Sequence, residues 1–149
     1  MSIKFKIGNE WLNKRTAIHY CMNEFSFDVR PNNGDPAYLL VNNLNLTENE
    51  AHILTGVWGL CSYKQWIPTD AFLSTVEKRE LPIANNFWGP MVSTRINEDD
   101  WGVFINESKQ WVCIGEPGLQ GHSIEFVPGA VMVLSEQGEL LSMWLKVKK

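Results

Sequence analysis

The chain has 149 residues and a formal net charge of −4, with 44% hydrophobic and 20% charged residues. This composition is too apolar for a disordered chain, and one core in a chain of this length buries roughly 68–70% of the unfolded surface. We therefore predict a single globular domain over residues 1–149. No run approaches the roughly 18 apolar residues of a membrane span, and the N-terminus lacks a secretion signal, so we expect a cytoplasmic protein that binds no membrane.

Polar and apolar residues alternate in three stretches near the N-terminus, 2–7, 16–22 and 25–29. A period of two residues is typical of half-buried strands, so we predict one strand in each stretch. The run Pro-Asn-Asn-Gly-Asp-Pro at 31–36 predicts a turn, because Asn and Gly tolerate positive φ and proline donates no backbone hydrogen bond. Residues 38–41 are apolar on both faces and fit either a central strand or a short helix.

A capping box marks the start of a first predicted helix. In the sequence Thr-Glu-Asn-Glu at 47–50, the threonine hydroxyl can accept from the third helical N–H while Glu50 returns a hydrogen bond to the threonine N–H. Apolar residues then recur at helical spacing; they are Ala51, Leu54, Val57 and Trp58. Together these signals predict a helix near 48–58.

A second predicted helix lies near 70–80. Its apolar stripe consists of Phe72, Leu73 and Val76, and Pro82 follows shortly after it. Proline disfavours helical backbone in the residue before it, so the helix should end there.

The C-terminal half has the pattern of regular strands. A loop at 82–100, with a candidate strand at 91–96, is followed by five strand-like runs: 101–106, 110–114, 123–127, 130–134 and 139–147. Short strands with short turns predict a meander or half-barrel of antiparallel neighbours. We therefore predict an α+β fold, a mostly antiparallel sheet with two inserted helices. The acidic turn before residue 101 and the glycine-rich loop 115–122 are expected at opposite ends of neighbouring strands.

The charge is unevenly distributed along the chain. Between Glu80 and Glu139 there are nine acidic residues against two basic ones, Arg95 and Lys109, which leaves a net charge of −7. An acidic surface repels the phosphate backbone of nucleic acids and attracts cationic partners. The charge pattern therefore predicts a basic protein partner and no nucleic acid.

Few residues are candidates for holding a metal or acting as a nucleophile. They are Cys21, Cys61, Cys113, His19, His52 and His122. The cysteines form no C-x-x-C pair, which fits buried thiols in a reducing compartment, and Cys113 lies in an apolar run that should raise its pKa. No set reaches the four ligands of zinc close in sequence, so we predict no metal and no cofactor. Whether these side chains meet in space is left open.

An acidic turn directly before the strand at 101–106 is the strongest candidate for a binding surface. Aromatic anchors with an acidic rim are typical of an interface for a basic protein. The alternative is that Trp101 points into the core and the turn is only structural. The predicted partner-binding residues are Trp88, Glu98, Asp99, Asp100, Trp101, Glu107 and Glu116.

With no catalytic motif, the sequence favours a non-enzymatic acidic binding protein. The leading hypothesis is an immunity or antitoxin protein that neutralises a basic protein toxin, such as a nuclease, by covering its active site. One alternative is a small-ligand carrier with an aromatic-lined pocket in a curved sheet. The other is a hydrolase-like enzyme that uses His122 with a carboxylate such as Glu116 or Glu125.

Overall fold

The computed structural model describes residues 3–11, 16–29, 34–84 and 94–147. These residues form no α-helix, and their only helical segments are two 3₁₀ turns, Met22–Glu24 and Tyr63–Gln65. They form thirteen strands: β1 (Ile18–Cys21), β2 (Ser26–Val29), β3 (Ala37–Val41), β4 (Leu44–Glu48), β5 (Leu54–Leu60), β6 (Ile67–Pro68), β7 (Glu77–Lys78), β8 (Thr94–Arg95), β9 (Val103–Asn106), β10 (Trp111–Gly115), β11 (His122–Val127), β12 (Ala130–Leu134) and β13 (Leu140–Lys146). The α+β prediction is therefore wrong, because the fold is nearly all β.

The strands form two mixed sheets. The first sheet has the order β1-β2-β5-β4-β3-β8, and the second has the order β6-β9-β10-β13-β12-β11-β7. Most neighbours are antiparallel, whereas the short strands β6, β7 and β8 pair parallel with β9, β11 and β3 at sheet edges. Each of these three strands is two residues long.

The five C-terminal strands are confirmed, but their order is not a simple meander. Strand β10 pairs with β13 instead of β11, so strands β10 to β13 form a Greek key. The loop 115–122 therefore crosses the ends of β12 and β13 rather than closing a hairpin. At Gly121 an added Cβ would meet the Leu134 carbonyl group, so the loop backbone lies directly against the end of β12.

The N-terminal strand predictions are mostly confirmed. Strands β1, β2 and β3 fall within or beside the predicted ranges. Residues 3–7 contribute only one bridge, from Phe5 to Ile83, with Ile3 and Phe5 buried and Ile7 exposed. The predicted strand at 91–96 is described only from residue 94 onward, where β8 lies.

The first predicted helix is wrong because its cap residues hold a turn between strands. The Asn49 side-chain oxygen accepts from the backbone N–H of Ala51 at 2.9 Å and of Ile53 at 3.1 Å, which is an Asx turn. The Thr47 hydroxyl, expected to cap a helix, instead pairs with the Thr55 hydroxyl on the neighbouring strand at 2.9 Å. The helical spacing of the apolar residues near 48–58 was therefore coincidental.

The second predicted helix is replaced by an extended strap, residues 67–78. Its first residues, β6, pair with β9 at one edge of the second sheet, and its last residues, β7, pair with β11 at the other edge. Between the edges lie six inter-strand spacings of about 4.8 Å, or about 29 Å. The nine residue steps from Pro68 to Glu77 span about 30 Å when extended but only about 14 Å as a helix. A helix over these residues would therefore cover only about half of that width.

Side chains of the strap cover the outer face of the second sheet. The Phe72 ring packs edge-on against Trp144 and Trp111, with centroids 5.6 and 6.0 Å away. The buried Asn106 side chain donates to the Ala71 carbonyl oxygen at 2.9 Å. The outer face contains Cys113, Val131, Val133 and Trp144. The inner face packs on the first sheet in one continuous core, and all five residues of β12 are therefore buried.

Substitution of Gly56 distinguishes the observed strand from the predicted helix, because the two conformations predict changes in stability of opposite sign. In a helix interior, Gly56→Ala should stabilise the protein by about 1 kcal/mol. In the sheet, the added Cβ lies 2.7 Å from Val29 Cγ2 and 3.0 Å from Thr47 Oγ1. We expect Gly56→Ala to lower the free energy of unfolding by about 1–3 kcal/mol in urea denaturation. The control Gly118→Ala has open space around its Cβ and should be close to neutral.

Candidate functional site

An asparagine pair holds the acidic turn (residues 98–100) in place. The buried Asn97 side chain donates to the Asn42 side-chain oxygen at 2.6 Å and to the Asp99 carbonyl oxygen at 3.0 Å. Its own side-chain oxygen accepts from the Asn42 backbone N–H at 3.0 Å. Asn42 in turn donates to the Trp101 carbonyl oxygen and accepts from the Trp101 backbone N–H, both at 3.0 Å. We call Asn42 and Asn97 the asparagine clamp.

The clamp joins the two sheets. Asn42 occupies the turn between β3 and β4 of the first sheet, where its φ of 52° is left-handed, a conformation that Asn adopts more readily than most residues. The acidic turn connects β8 of the first sheet with β9 of the second. The backbone of the acidic turn is therefore held on the first sheet by Asn42 and joined to the second sheet through β9.

The charges of the acidic turn are mostly unpaired. Asp100 forms an ion pair with Arg95, and both side chains are exposed to solvent, so the pair contributes little to stability. Glu98 and Asp99 are exposed and form no side-chain hydrogen bond or ion pair with another described residue. The turn thus presents a net negative charge to solvent.

Trp101 is neither fully buried nor fully exposed. It packs against the main hydrophobic core and also lines a cleft of about 330 Å³, together with Asp100, Leu60 and Ile67. Leu60 and Ile67 are 63% and 51% exposed, which are high values for large apolar side chains. The cleft therefore combines an aromatic wall, exposed apolar side chains and a carboxylate.

The exposed apolar side chains follow another connection between the sheets, residues 61–66, which links β5 to β6. Leu60, Tyr63 and Ile67 project along it, and we call them the apolar ridge. The buried Tyr20 hydroxyl fixes this connection, because it donates to the Cys61 carbonyl oxygen at 2.7 Å and accepts from the Tyr63 backbone N–H at 3.1 Å. Burial raises the pKa of Tyr20 to about 12, so the hydroxyl stays protonated as a donor.

Sequence reasoning missed the apolar ridge. One signal was available: Pro68 cannot donate to a neighbouring strand, which restricts β6 to a sheet edge. A strand at an edge leaves its apolar neighbours, including Ile67, accessible to solvent. The register of the ridge against β9 was not visible in the sequence.

The predicted acids lie at both ends of β9. Strands β9 and β10 pair Val103 with Ile114 and Asn106 with Trp111, so Glu116 lies at the same end as the acidic turn. The expectation that the acidic turn and the glycine-rich loop lie at opposite ends is wrong. Glu107 follows β9 at the other end, about 20 Å from Asp100 for an extended chain. It lines a second cleft with Tyr63 on the far side of the ridge.

Trp88, the remaining predicted partner-binding residue, lies outside the described residues. The described part of the site therefore consists of the apolar ridge and Trp101, with the acidic turn and Glu116 on one side and Glu107 on the other.

The three cysteines are free thiols. Burial raises the pKa of Cys61 to about 11 and that of Cys113 to about 12, as the apolar sequence around Cys113 predicted. Such thiols are poor nucleophiles at neutral pH. Across the described ranges, no group of three or more His, Cys, Asp and Glu side chains could hold a metal ion.

Among the described residues, His122 forms no hydrogen bond with the carboxylates proposed to assist it. It is exposed at the start of β11, and no hydrogen bond or ion pair joins it to another side chain in the described part of the protein. The Glu125 carboxylate instead accepts from the Gly129 backbone N–H at 2.9 Å and holds the turn after β11. The enzyme hypothesis therefore gains no support from this geometry.

Comparisons with protein-family models, curated proteins and solved structures found no match. The function must therefore be inferred from the site itself. In the described ranges, no helix has the length and apolar character needed to cross a membrane.

Removing the clamp should lower the free energy of unfolding. Asn97→Ala removes the hydrogen bonds to the Asn42 backbone N–H and the Asp99 carbonyl oxygen, and each partly buried hydrogen bond contributes about 0.5–1.5 kcal/mol. We expect that loss in urea denaturation and faster hydrogen exchange at the Trp101 amide. The exposed neighbour offers a control, Glu98→Ala, expected within about 0.5 kcal/mol of wild type. Equal stability of the two variants would contradict the clamp.

The buried thiols predict a loss of stability at high pH. Above about pH 9 the unfolded thiols ionise, whereas the folded ones stay protonated until about pH 11 and 12. The folded state then binds more protons, so stability falls as pH rises, by about 1.4 kcal/mol per pH unit for each thiol. Urea denaturation between pH 8 and 10.5 measures this slope. In Cys113→Ala the dependence of stability on pH should be weaker by the contribution of one thiol. An unchanged slope would contradict the raised pKa of Cys113.

Proposed function

We propose that the chain is a non-enzymatic binding protein that docks a basic protein on the apolar ridge and the acidic residues beside it. The specific form we propose is an immunity or antitoxin protein that covers the cationic active site of a toxin such as a nuclease. The observation that carries the proposal is the presence of exposed Leu60 and Ile67 in one cleft with Trp101 and Asp100.

The composition of this surface supports a protein partner. Large apolar side chains at the centre of a binding surface exclude water and supply most of the affinity, while charges at the rim contribute orientation and rate. Here the apolar ridge is the centre, and Asp100 and Glu107 lie on its two sides about 20 Å apart. That span fits within a standard interface of about 800 Å² per partner.

The sign of the charge supports a basic partner. Glu98, Asp99, Asp100 and Glu116 lie at one end of β9 and β10, where Arg95 forms an ion pair with Asp100. A concentration of unpaired carboxylates attracts cationic surfaces and accelerates encounter at low salt. The active site of a nuclease is cationic because it binds phosphates.

Rigid presentation also supports binding. The acidic turn is fixed by the asparagine clamp and the ridge by the Tyr20 hydroxyl. Groups held in place before association lose less conformational entropy when they bind.

The test uses charge-reversed variants. We expect immobilised wild type to capture a basic protein from the native cell lysate, and Glu98→Lys/Asp99→Lys to lose it. With the purified partner, reversal should slow association about 10–100-fold at low ionic strength, and added salt should slow the wild type. Stopped-flow mixing measures both rates. If the partner is a nuclease, one equivalent of the chain should abolish its activity.

A matched control separates local from global charge. Glu10 and Glu50 are acidic residues with exposed side chains. Glu10 lies beside β7 at the other edge of the second sheet, and Glu50 lies at the end of β4 away from Asn42. Glu10→Lys/Glu50→Lys changes the net charge equally and should retain the partner. Association that does not respond to ionic strength, or equal loss in both variants, would refute the proposed surface.

A further inference from the structure

The cleft on the far side of the ridge is large and lined mostly by apolar and aromatic side chains. This aromatic groove has a volume of about 540 Å³, and its walls include Tyr63, Trp66, Met22 and Val147, with Glu107 also lining it. Sites for small organic molecules usually have volumes of about 300–1,000 Å³, mostly apolar walls and few polar groups. We propose that the aromatic groove binds a small organic cation with an apolar body, such as a quaternary or aromatic ammonium compound.

Two aromatic rings form a corner of the groove. The centroids of Tyr63 and Trp66 lie 6.4 Å apart, and their planes meet at 74°. Each ring is backed by another ring, Tyr63 by Phe25 at 5.5 Å and Trp66 by Tyr20 at 5.0 Å. The backing fixes the two rings while they line the groove. Faces of aromatic rings attract cations, and quaternary ammonium groups are bound in such corners.

The charge at the groove determines which sign of charge a ligand should carry. Glu107 is exposed, and its carboxylate forms no hydrogen bond or ion pair within the described ranges. Two nearby lysines contact rings that do not themselves line the groove: the Lys109 ammonium group lies 5.8 Å from the Phe72 ring centroid, and that of Lys64 lies 5.1 Å from Phe25, behind Tyr63. A carboxylate without a partner beside two aromatic walls is complementary to a cation and unfavourable for an anion.

The groove does not depend on the partner protein proposed above. Its rings are positioned within the chain by Tyr20 and Phe25, and the acidic turn lies on the other side of the ridge. Ligand binding can therefore be measured with the isolated protein, and failure of either proposal leaves the other standing.

The test is a titration of the full chain with benzyltrimethylammonium, followed by NMR of backbone amides. We expect saturable shifts centred on Tyr63, Trp66 and Glu107, with binding that weakens as ionic strength rises. Benzyl alcohol and benzenesulfonate, a neutral and an anionic compound of similar size, should bind at least about 5-fold more weakly, given the strength of a cation–π contact.

Variants locate the site. Glu107→Gln removes the charge, and Tyr63→Leu removes one aromatic wall; each should weaken binding about 5–30-fold. Both positions are exposed, so the variants should fold, which unchanged amide spectra away from the groove would verify. Glu50→Gln, which removes one exposed carboxylate at the far end of β4, is the matched charge control and should bind like wild type. No saturation by 10 mM ligand (roughly the weakest useful affinity), equal binding of benzyl alcohol, or wild-type affinity of Glu107→Gln would overturn the proposal.

Discussion

The pairing of one strap with both edges of the second sheet is the constraint on which the fold depends. An exposed sheet edge presents unpaired N–H and C=O groups that invite aggregation. The strap covers β9 at one edge and β11 at the other, and Phe72 buries Trp144 on the way. With that face covered, the inner face can pack fully on the first sheet. The core and the connections β5 to β6 and β8 to β9 between the sheets take their positions from this arrangement.

The candidate site is built from those connections. The acidic turn leads from β8 to β9, and the residues of the ridge lead from β5 to β6. Loops that pass between packed sheets lie at the surface, yet their ends are anchored in rigid strands, a placement common for binding residues. Here the anchors are polar: the Asn42–Asn97 pair for one connection and the Tyr20 hydroxyl for the other.

Local patterns in the sequence predicted the strands but not the strap. Alternation and short turns located all five C-terminal strands, because they depend only on neighbours in sequence. The strap was predicted wrongly because Phe72, Leu73 and Val76 have helical spacing. Their conformation depends instead on a span of about 29 Å across the sheet. The predicted Thr47 cap failed likewise, because its hydroxyl pairs with Thr55 on the neighbouring strand and the Asn49 side chain forms an Asx turn in place of a helix start.

The residues of the candidate site were also only partly predictable from local sequence patterns. Glu98 to Trp101 are contiguous, so the sequence alone could group them. Leu60 and Ile67 line the same cleft as Trp101 because β6 pairs parallel with β9. No local sequence pattern encodes that pairing. Glu107 was grouped with the acidic turn by charge alone, whereas the register of β9 places the two at opposite ends.

The asparagine clamp has a consequence for the lifetime of the chain. Because it connects the two sheets, a partner that holds the acidic turn and the ridge together also holds the sheets together. Binding to the folded state alone shifts the unfolding equilibrium by mass action. The unbound chain should therefore open more often and be degraded sooner by cellular proteases. Its abundance would then follow the abundance of the proposed partner.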